Sequence, residues 1–301
     1  MALISSIEEL QTLKTNLTSV TSITMAPNDA MWVGCANTRK LQLIDVGGHM
    51  KELPPMMTNV LGFSLSGNGD LYMTDVDNRK VRKRDLSSGK LTLFYDFKPL
   101  FPVSIYVDVR ETPNMVYVGL IDSLVKVNKD YENVTGTVVK MSLTGEAIKN
   151  TFNQPETSDE KLFTFPNSIV VNSFVGSLVV IDSISQETGR VIAISNDDGS
   201  FHFIYSRSHN HTDNPFNPSD LVCTNEGKII ICDGSNDLLH VLNDNGRLCQ
   251  CIDTKSQGIK RPWSLALNNR NKLCIGTFTY KGGKQTTEAQ NGVVYITKFY
   301  V

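Results

Sequence analysis

The sequence lacks the features that would direct it to a membrane or to a strongly charged partner. No apolar run approaches the roughly 18 residues needed to cross a bilayer. The first residues lack the basic segment and the long apolar segment of a secretory signal. The chain has 29 Lys and Arg against 31 Asp and Glu, and its formal net charge of -2 gives no overall attraction to nucleic acid, anionic lipid or acidic substrates. We therefore expect a cytoplasmic protein without membrane contact.

Metal-binding and catalytic sequence motifs are also missing. The six cysteines among the 301 residues include no Cys-x-x-Cys pair, so no zinc-type spacing is present. There is no Gly-x-Ser-x-Gly elbow, no His-Glu-x-x-His pair and no phosphate-binding loop. A chain of this length can bury a core without disulfides, so we expect free thiols. We predict no cofactor and no metal.

A short apolar strand recurs six times along the chain. Its copies begin at residues 31, 71, 116, 178, 229 and 273, a period of about 40 residues plus loop insertions. A second anchor, a small or polar residue followed by an apolar one, precedes each strand and keeps the same spacing. In four copies a proline stands two residues before that anchor, at a position where a strand entering from a loop loses no ladder hydrogen bond; these are Pro102, Pro166, Pro218 and Pro262.

The repeat predicts an all-β, six-bladed β-propeller that forms one domain over residues 1–301, because each copy contains four short strands joined by tight turns. The predicted blades cover residues 18–54, 60–97, 102–152, 165–205, 218–252 and 261–300. The sixth copy has only three strands, whereas a surplus extended segment, residues 10–17, precedes the first copy. We predict that this segment is the outer strand of the last blade, since the pairing removes an open sheet edge.

The second copy resembles the NHL repeat, in which a Gly-x-apolar-Tyr-Val-x-Asp run is followed by Asn-x-Arg-apolar. It reads Asn68-Gly69-Asp70-Leu71-Tyr72-Met73-Thr74-Asp75, and then Asn78-Arg79-Lys80-Val81. The fifth copy keeps Gly227, Asp233 and Asn236, whereas copies three, four and six depart from the pattern. NHL propellers often form the C-terminal domain of tripartite-motif ubiquitin ligases and recognise partner proteins or RNA. The resemblance therefore implies a recognition module, with any ligase activity and any oligomerisation in domains outside this chain.

The leading functional hypothesis is a non-catalytic module that binds a partner protein or peptide, as the substrate-recognition domain of a tripartite-motif-like ubiquitin ligase. The topology places every long insertion on one face, and loops on a rigid scaffold are where binding residues concentrate. These insertions are residues 120–136, 153–164, 183–189, 206–217 and 277–291. An exposed tryptophan beside an arginine is typical of interaction hot spots. The predicted partner-binding residues are Arg261, Trp263, Arg207, His209, Tyr280 and Lys281.

The alternative hypothesis is RNA binding through the basic run of the second copy. Arg79, Lys80 and Arg82 are the candidate residues, because clustered cations neutralise phosphates. Asp75 and Asp77 stand close by and dilute this charge. A run of this kind is also compatible with a solvated strand face.

A third hypothesis is a calcium-dependent, lactonase-like hydrolase, since six-bladed propellers include such enzymes. A calcium ion requires several carboxylate and amide oxygens that converge on it. Asp220 and Asn167 could point toward the propeller axis, but the equivalent positions of the other copies lack carboxylates; they are Ser22, Gly62, Ser104 and Ser264. The sequence therefore predicts that this chain is not an enzyme.

Overall fold

The architecture is a ring of six blades, each a sheet of four antiparallel strands. The computed structural model describes residues 7–54, 59–110, 114–124, 131–145, 148–153, 161–207, 214–279 and 291–299. The predicted all-β six-bladed propeller is confirmed. No described helix combines the length and the apolar character needed to cross a membrane.

In five blades the four strands follow one another in chain order. In the sixth blade the fourth strand comes from the start of the chain. Blade 1 contains β2 (Ser22–Met25), β3 (Met31–Cys35), β4 (Lys40–Ile44) and β5 (Met50–Glu52). Blade 2 contains β6 (Phe63–Leu65), β7 (Leu71–Asp75), β8 (Lys80–Arg84) and β9 (Leu91–Asp96). Blade 3 contains β10 (Phe101–Asp108), β11 (Met115–Ile121), β12 (Gly136–Ser142) and β13 (Ile148–Phe152). Blade 4 contains β14 (Pro166–Asn172), β15 (Ser177–Ser183), β16 (Gly189–Ser195) and β17 (Phe201–Tyr205). Blade 5 contains β18 (Pro218–Cys223), β19 (Ile229–Asp233), β20 (Leu238–Leu242) and β21 (Leu248–Asp253). Blade 6 contains β22 (Pro262–Leu267), β23 (Lys272–Thr277), β24 (Val293–Phe299) and β1 (Ile7–Lys14).

The chain forms two compact units. Unit 1 contains blades 1, 5 and 6 and comprises Met1–Met57, His209–Asn214 and Ser219–Val301. Unit 2 contains blades 2, 3 and 4 and comprises Thr58–Ser208 and Pro215–Pro218.

In unit 1 the N-terminal strand completes the last blade, as predicted. Strand β1 pairs with β24 in antiparallel register, with Leu13 opposite Val294 and Thr12 opposite Tyr295. Leu13 and Val294 are both buried in a core that continues into blade 1. The two ends of the chain are therefore tied together by backbone hydrogen bonds and by apolar packing.

In unit 2 the second strands are buried on both faces. All seven residues of β11 are buried, and Tyr117 at its centre donates its hydroxyl hydrogen to Asn196 Oδ1 of blade 4 at 2.7 Å. A strand that is covered on both sides reads as a continuous apolar run, because neither face requires polar side chains. The apolar runs from which the repeat was recognised therefore report burial between blades.

Serine hydroxyls on the inner strands join adjacent blades. In unit 2, Ser104 Oγ donates to the carbonyl of Pro166 in the next blade at 2.5 Å. In unit 1, Ser264 Oγ donates to the carbonyl of Val20 at 2.9 Å. A buried polar group that is left unpaired costs about 1–3 kcal/mol, so these bonds help to fix the contact between neighbouring inner strands.

Gly119 on β11 leaves the space that Ser104 occupies. A Cβ at this position would overlap Ser104 Oγ and lie 2.7 Å from the carbonyl oxygen of Pro166. We expect Gly119→Ala to lower the free energy of unfolding by about 1–3 kcal/mol, because the added methyl must displace the inner strand or the next blade. Urea denaturation measures this change. Gly67→Ala is the control, since a Cβ there would meet no atom closer than 3.6 Å. Equal losses in the two variants would contradict the prediction.

Candidate functional site

A buried carboxylate lies at the end of the second strand of blade 2, and one residue before the end of that strand in blade 4, both in unit 2. In blade 2, Asp75 is fully buried and accepts a hydrogen bond from Arg82 Nε at 2.6 Å. Asn78 donates to the same carboxylate from its Nδ2 at 2.8 Å and from its backbone N–H at 3.3 Å. Asp75 and Asn78 therefore build the turn between the second and third strands.

Asp182 occupies the corresponding place in blade 4. Its carboxylate accepts hydrogen bonds from Arg190 Nε at 3.0 Å and from the backbone N–H groups of Thr164 and Phe165 at 2.7 Å each. Burial raises the pKa of the Asp182 carboxyl, and the Arg190 guanidinium and the two amides oppose that shift. This carboxylate ties the third strand of the blade to the segment that leads into its first strand.

In unit 1, blade 5 carries the same feature with a different partner. Asp233 accepts a hydrogen bond from Asn236 Nδ2 at 2.8 Å, as Asp75 does from Asn78. The side chain near this carboxylate is a histidine instead of an arginine, and His240 Nε2 lies 3.3 Å from Asp233 Oδ2. Both side chains have an exposed fraction of 0%, so this pair does not reach a substrate in solvent.

The basic run proposed for RNA binding is largely engaged within unit 2. Arg82 is bonded to the buried Asp75, and the Arg79 guanidinium lies over the ring of Phe101 at 4.3 Å from its centroid. Lys80 stands opposite Asp96 in the β8–β9 register. Strand pairing therefore brings carboxylates to Arg82 and Lys80, and Phe101 of blade 3 packs against Arg79. RNA binding through these residues stays a prediction.

Trp263 in unit 1 lies at an irregularity of its strand. The β22–β23 register shifts between Pro262 and Ser264, so Trp263 is the extra residue of a bulge, and bulges re-aim side chains and are frequent beside active sites. The half-buried indole stacks on Phe278 with 4.5 Å between ring centroids and an interplanar angle of 27°. Ser219 Oγ donates to the Trp263 carbonyl at 2.7 Å and fixes the main chain there.

The other predicted partner-binding residues fall in several places. Arg261 is exposed in unit 1, has φ +50, and donates its backbone N–H to Asp237 Oδ1 at 2.6 Å. Arg207 is half-buried and belongs to unit 2, beyond the end of β17. Three of the predicted residues lie outside the described residues: His209, Tyr280 and Lys281.

The two residues weighed for a calcium-dependent hydrolase have different surroundings. Asn167 in unit 2 is half-buried at a bulge of β14, between Pro166 and Ser168. Asp220 in unit 1 accepts the backbone N–H of Leu221 at 2.9 Å through Oδ1 and that of Leu265 at 2.8 Å through Oδ2. Asp220 therefore joins the inner strands of blades 5 and 6, as the serine hydroxyls do elsewhere.

The described residues do not fit a calcium site made of carboxylates. No group of three or more His, Cys, Asp or Glu side chains in this part of the chain is arranged to hold a metal ion. A calcium ion takes six to eight oxygen ligands, whereas the oxygens of Asp220 are both occupied by backbone donors.

Neither His240 nor Phe278 is among the site residues predicted from the sequence. His240 follows Asp233 by the same interval as Arg82 follows Asp75 (233 to 240 and 75 to 82), so an alignment of blades 2 and 5 on their aspartates would have identified it. Phe278 lies just beyond β23, where the repeat pattern ends. No sequence signal pointed to it.

Comparison with known proteins gives a consistent fold and no sequence family. No family model and no curated protein matches the chain. A gluconolactonase from Xanthomonas campestris has 14% identity and a TM-score of 0.67, covering 96% of this chain and 89% of its own. The calcium-binding protein regucalcin from Agrobacterium tumefaciens has 12% identity and a TM-score of 0.69, covering 94% of this chain and 90% of its own. A luciferin-regenerating enzyme has 11% identity and a TM-score of 0.67, covering 97% of this chain and 96% of its own.

These neighbours correct the functional predictions. They are propellers of the gluconolactonase and regucalcin kind and not NHL domains, and two of the three are enzymes by name. The predictions of a non-catalytic recognition module of a ubiquitin ligase and of a chain that is not an enzyme are therefore wrong. RNA binding has no support among them. At 14% identity or less, the likeness to these structures shows the fold alone.

Substitution of Arg190 tests how much the buried ion pair with Asp182 contributes to the free energy of unfolding. We expect Arg190→Leu to lower the free energy of unfolding by about 3–5 kcal/mol, because the variant leaves the buried Asp182 carboxylate without its cation. The measurement is urea-induced unfolding at neutral pH.

The exposed pair of Lys40 and Glu52 provides the control. Their charged atoms are 3.1 Å apart, but the side chains are 38% and 37% exposed, so Lys40→Leu should cost less than about 1 kcal/mol. If Arg190→Leu costs no more than Lys40→Leu, the buried pair does not hold the blade end as described.

A calcium titration tests the lack of fit to a metal site. An ion that binds only the folded state raises the melting temperature of the protein. After dialysis against a chelator, we expect added CaCl₂ to shift the melting temperature no more than the same concentration of MgCl₂ does. A saturable rise with calcium alone would show that the chain holds this ion after all.

Proposed function

We propose that the chain is a hydrolase that opens a lactone, the cyclic ester of a small hydroxy acid. The observation that carries this proposal is the extent of the likeness to gluconolactonase, which covers 96% of this chain and therefore includes nearly the whole ring. A shared fold alone does not define a reaction, so the proposal also needs a surface that suits such a substrate.

The Trp263–Phe278 pair supports the binding of a ring-shaped substrate. Small-molecule sites are mostly apolar surfaces with a few placed polar groups, and a stacked aromatic pair offers a flat apolar face. We call this stacked pair the aromatic platform. Its main chain is fixed by two hydrogen bonds: Ser219 Oγ donates to the carbonyl of Trp263, and Asp237 accepts the backbone N–H of Arg261. A platform with a fixed main chain loses little conformational freedom when a ligand binds.

Arg261 supplies the charge that lactone opening requires. Water adds to the ester carbonyl carbon, the ring C–O bond breaks, and a hydroxy acid is formed. Negative charge develops on the carbonyl oxygen during the attack, and fixed N–H donors stabilise it. The exposed guanidinium of Arg261, two residues before Trp263, has five N–H donors and no acceptor. We assign to it the binding of the carbonyl oxygen and then of the product carboxylate.

No step of the proposed reaction passes through calcium, since the described residues do not fit that ion. The NHL-like pattern of blades 2 and 5 stays a proposal about the sequence of the repeat, supported by their matching Asp-Asn turns. It assigns no partner to the site. His209, Tyr280 and Lys281 stay predictions as site residues.

A panel of lactones tests the proposal directly. We expect the protein to release acid from an aromatic lactone such as dihydrocoumarin, from a sugar lactone such as gluconolactone, or from both, at a rate above that of the buffer. Trp263→Ala should lower kcat/KM by about ten-fold or more, because the loss of about 1.4 kcal/mol of transition-state binding has that effect. The measurement is acid release followed with a pH indicator.

Two variants separate the platform from general effects of losing a tryptophan. Trp263→Phe keeps an aromatic face and should retain most of the activity. Trp32→Phe changes the other tryptophan, which is 4% exposed on β3, and should leave kcat/KM unchanged. The proposal fails if no lactone is hydrolysed, and the site assignment fails if Trp263→Ala hydrolyses lactones as well as the unchanged protein.

A further inference from the structure

Blades 2 and 5 build the same carboxylate turn with one chemical difference. Asp75 and Asp233 both end the second strand, both are fully buried, and each accepts a hydrogen bond at 2.8 Å from an asparagine three positions later. In blade 2 the cation is Arg82, whose guanidinium is always charged. In blade 5 the corresponding side chain is His240, which is charged only if it is protonated. Blade 5 therefore has an imidazole where blade 2 has a permanent cation.

The residue opposite this cation on the outer strand differs as well. In the β8–β9 register Arg82 pairs with Leu93, and in the β20–β21 register His240 pairs with Cys251. Directly opposed residues of antiparallel strands lie on the same face, with their Cβ atoms about 4.5–5.5 Å apart. Cys251 therefore lies on the same face of the sheet as His240, whose Nε2 is 3.3 Å from Asp233 Oδ2.

We propose that Asp233, His240 and Cys251 form a thiol-activating triad, and that Cys251 is a covalent modification site for soft electrophiles. The arrangement has the three parts of an activated nucleophile: a thiol, a base next to it and a carboxylate that orients the base. His240 accepts the thiol proton, and Asp233 stabilises the imidazolium ion that results. With an alkyl iodide the thiolate attacks the carbon atom, a C–S bond forms, the C–I bond breaks and iodide leaves.

Comparison with two other cysteines of blade 5 shows how the surroundings of Cys251 differ. Cys232 also lies next to Asp233 in the chain, but it is fully buried, and burial together with the nearby carboxylates of Asp220 and Asp233 raises the pKa of its thiol well above the usual value. Cys249 is exposed on the same strand as Cys251, at the point where the β20–β21 register shifts, and Lys228 Nζ lies 3.9 Å from its thiol. Reactive cysteines need both access and a partner that stabilises the thiolate. Cys249 has the Lys228 ammonium for this role, whereas half-buried Cys251 is opposite an imidazole that can act as a base.

Competition between these cysteines tests the triad. The full chain is treated with limiting iodoacetamide at neutral pH, and alkylation of each cysteine is followed over time by peptide mass spectrometry. We expect Cys251 to react faster than Cys249 although Cys249 is the more exposed. His240→Gln should slow Cys251 by about ten-fold or more, since a glutamine cannot accept the proton. The rate of Cys249 should not change.

Cys232 reports whether each variant is folded, because a fully buried thiol is alkylated only when the blade opens. Asp233→Asn should slow Cys251 with Cys232 still protected, and Cys251→Leu, which introduces the blade 2 residue, should abolish the fast reaction. The proposal is overturned if Cys251 reacts no faster than Cys249 in the unchanged protein. It is also overturned if Cys251 keeps its rate in His240→Gln while Cys232 stays protected. If Cys232 becomes reactive in His240→Gln, the comparison of Cys251 with Cys249 in the unchanged protein decides.

Discussion

The pairing of β1 with β24 is the constraint on which the rest of the propeller depends. Without it the last blade would have three strands and an open edge, and open edges invite pairing with other chains. The opposed Leu13 and Val294 place this pairing in the apolar core of unit 1 as well as in its hydrogen-bond ladder. Within unit 1 the pairing thus completes the four-stranded sheet of the last blade. Side chains at the ends of the second strands differ from blade to blade.

One repeated position shows how far this variation has gone. The residue at the end of the second strand, or one residue before it in blade 4, is an aspartate in blades 2, 4 and 5, but it is Cys35 in blade 1 and Thr277 in blade 6. Burial opposes ionisation of the Cys35 thiol, yet hydrogen bonds from Thr18 and Thr38 lower its pKa overall. By contrast, burial raises the pKa of Cys274, which lies within β23, to about 12. The same backbone position thus holds ion pairs in some blades and a polarised thiol in another.

The sequence was sufficient for the fold because burial between blades leaves a periodic record. Strands such as β7 and β19 are buried along their whole length, and this burial does not depend on which ligand the protein binds. The NHL resemblance, in contrast, rested on Asp75, Asn78 and their counterparts in blade 5, and these side chains bind one another within the turn. The motif therefore describes how a turn is built. It does not identify the family, because propellers such as gluconolactonase share the fold with this chain at 14% identity or less. Arg82 was a candidate RNA contact, and only the strand register shows that its guanidinium is bonded to Asp75.

The contacts of Asp220 compete with any role of this carboxylate as a metal ligand. Each of its oxygens accepts a backbone N–H, one of them from Leu265 in the next blade. A cation that drew these oxygens away would leave buried donors unpaired, at a cost of about 1–3 kcal/mol each. The carboxylate therefore does the work that serine hydroxyls do between other blades. Trp263 is the opposite case, because its carbonyl makes the contact with Ser219 and leaves the indole to stack on Phe278. The proposed substrate platform therefore uses the bulge residue, whose side chain does not hold the blades together.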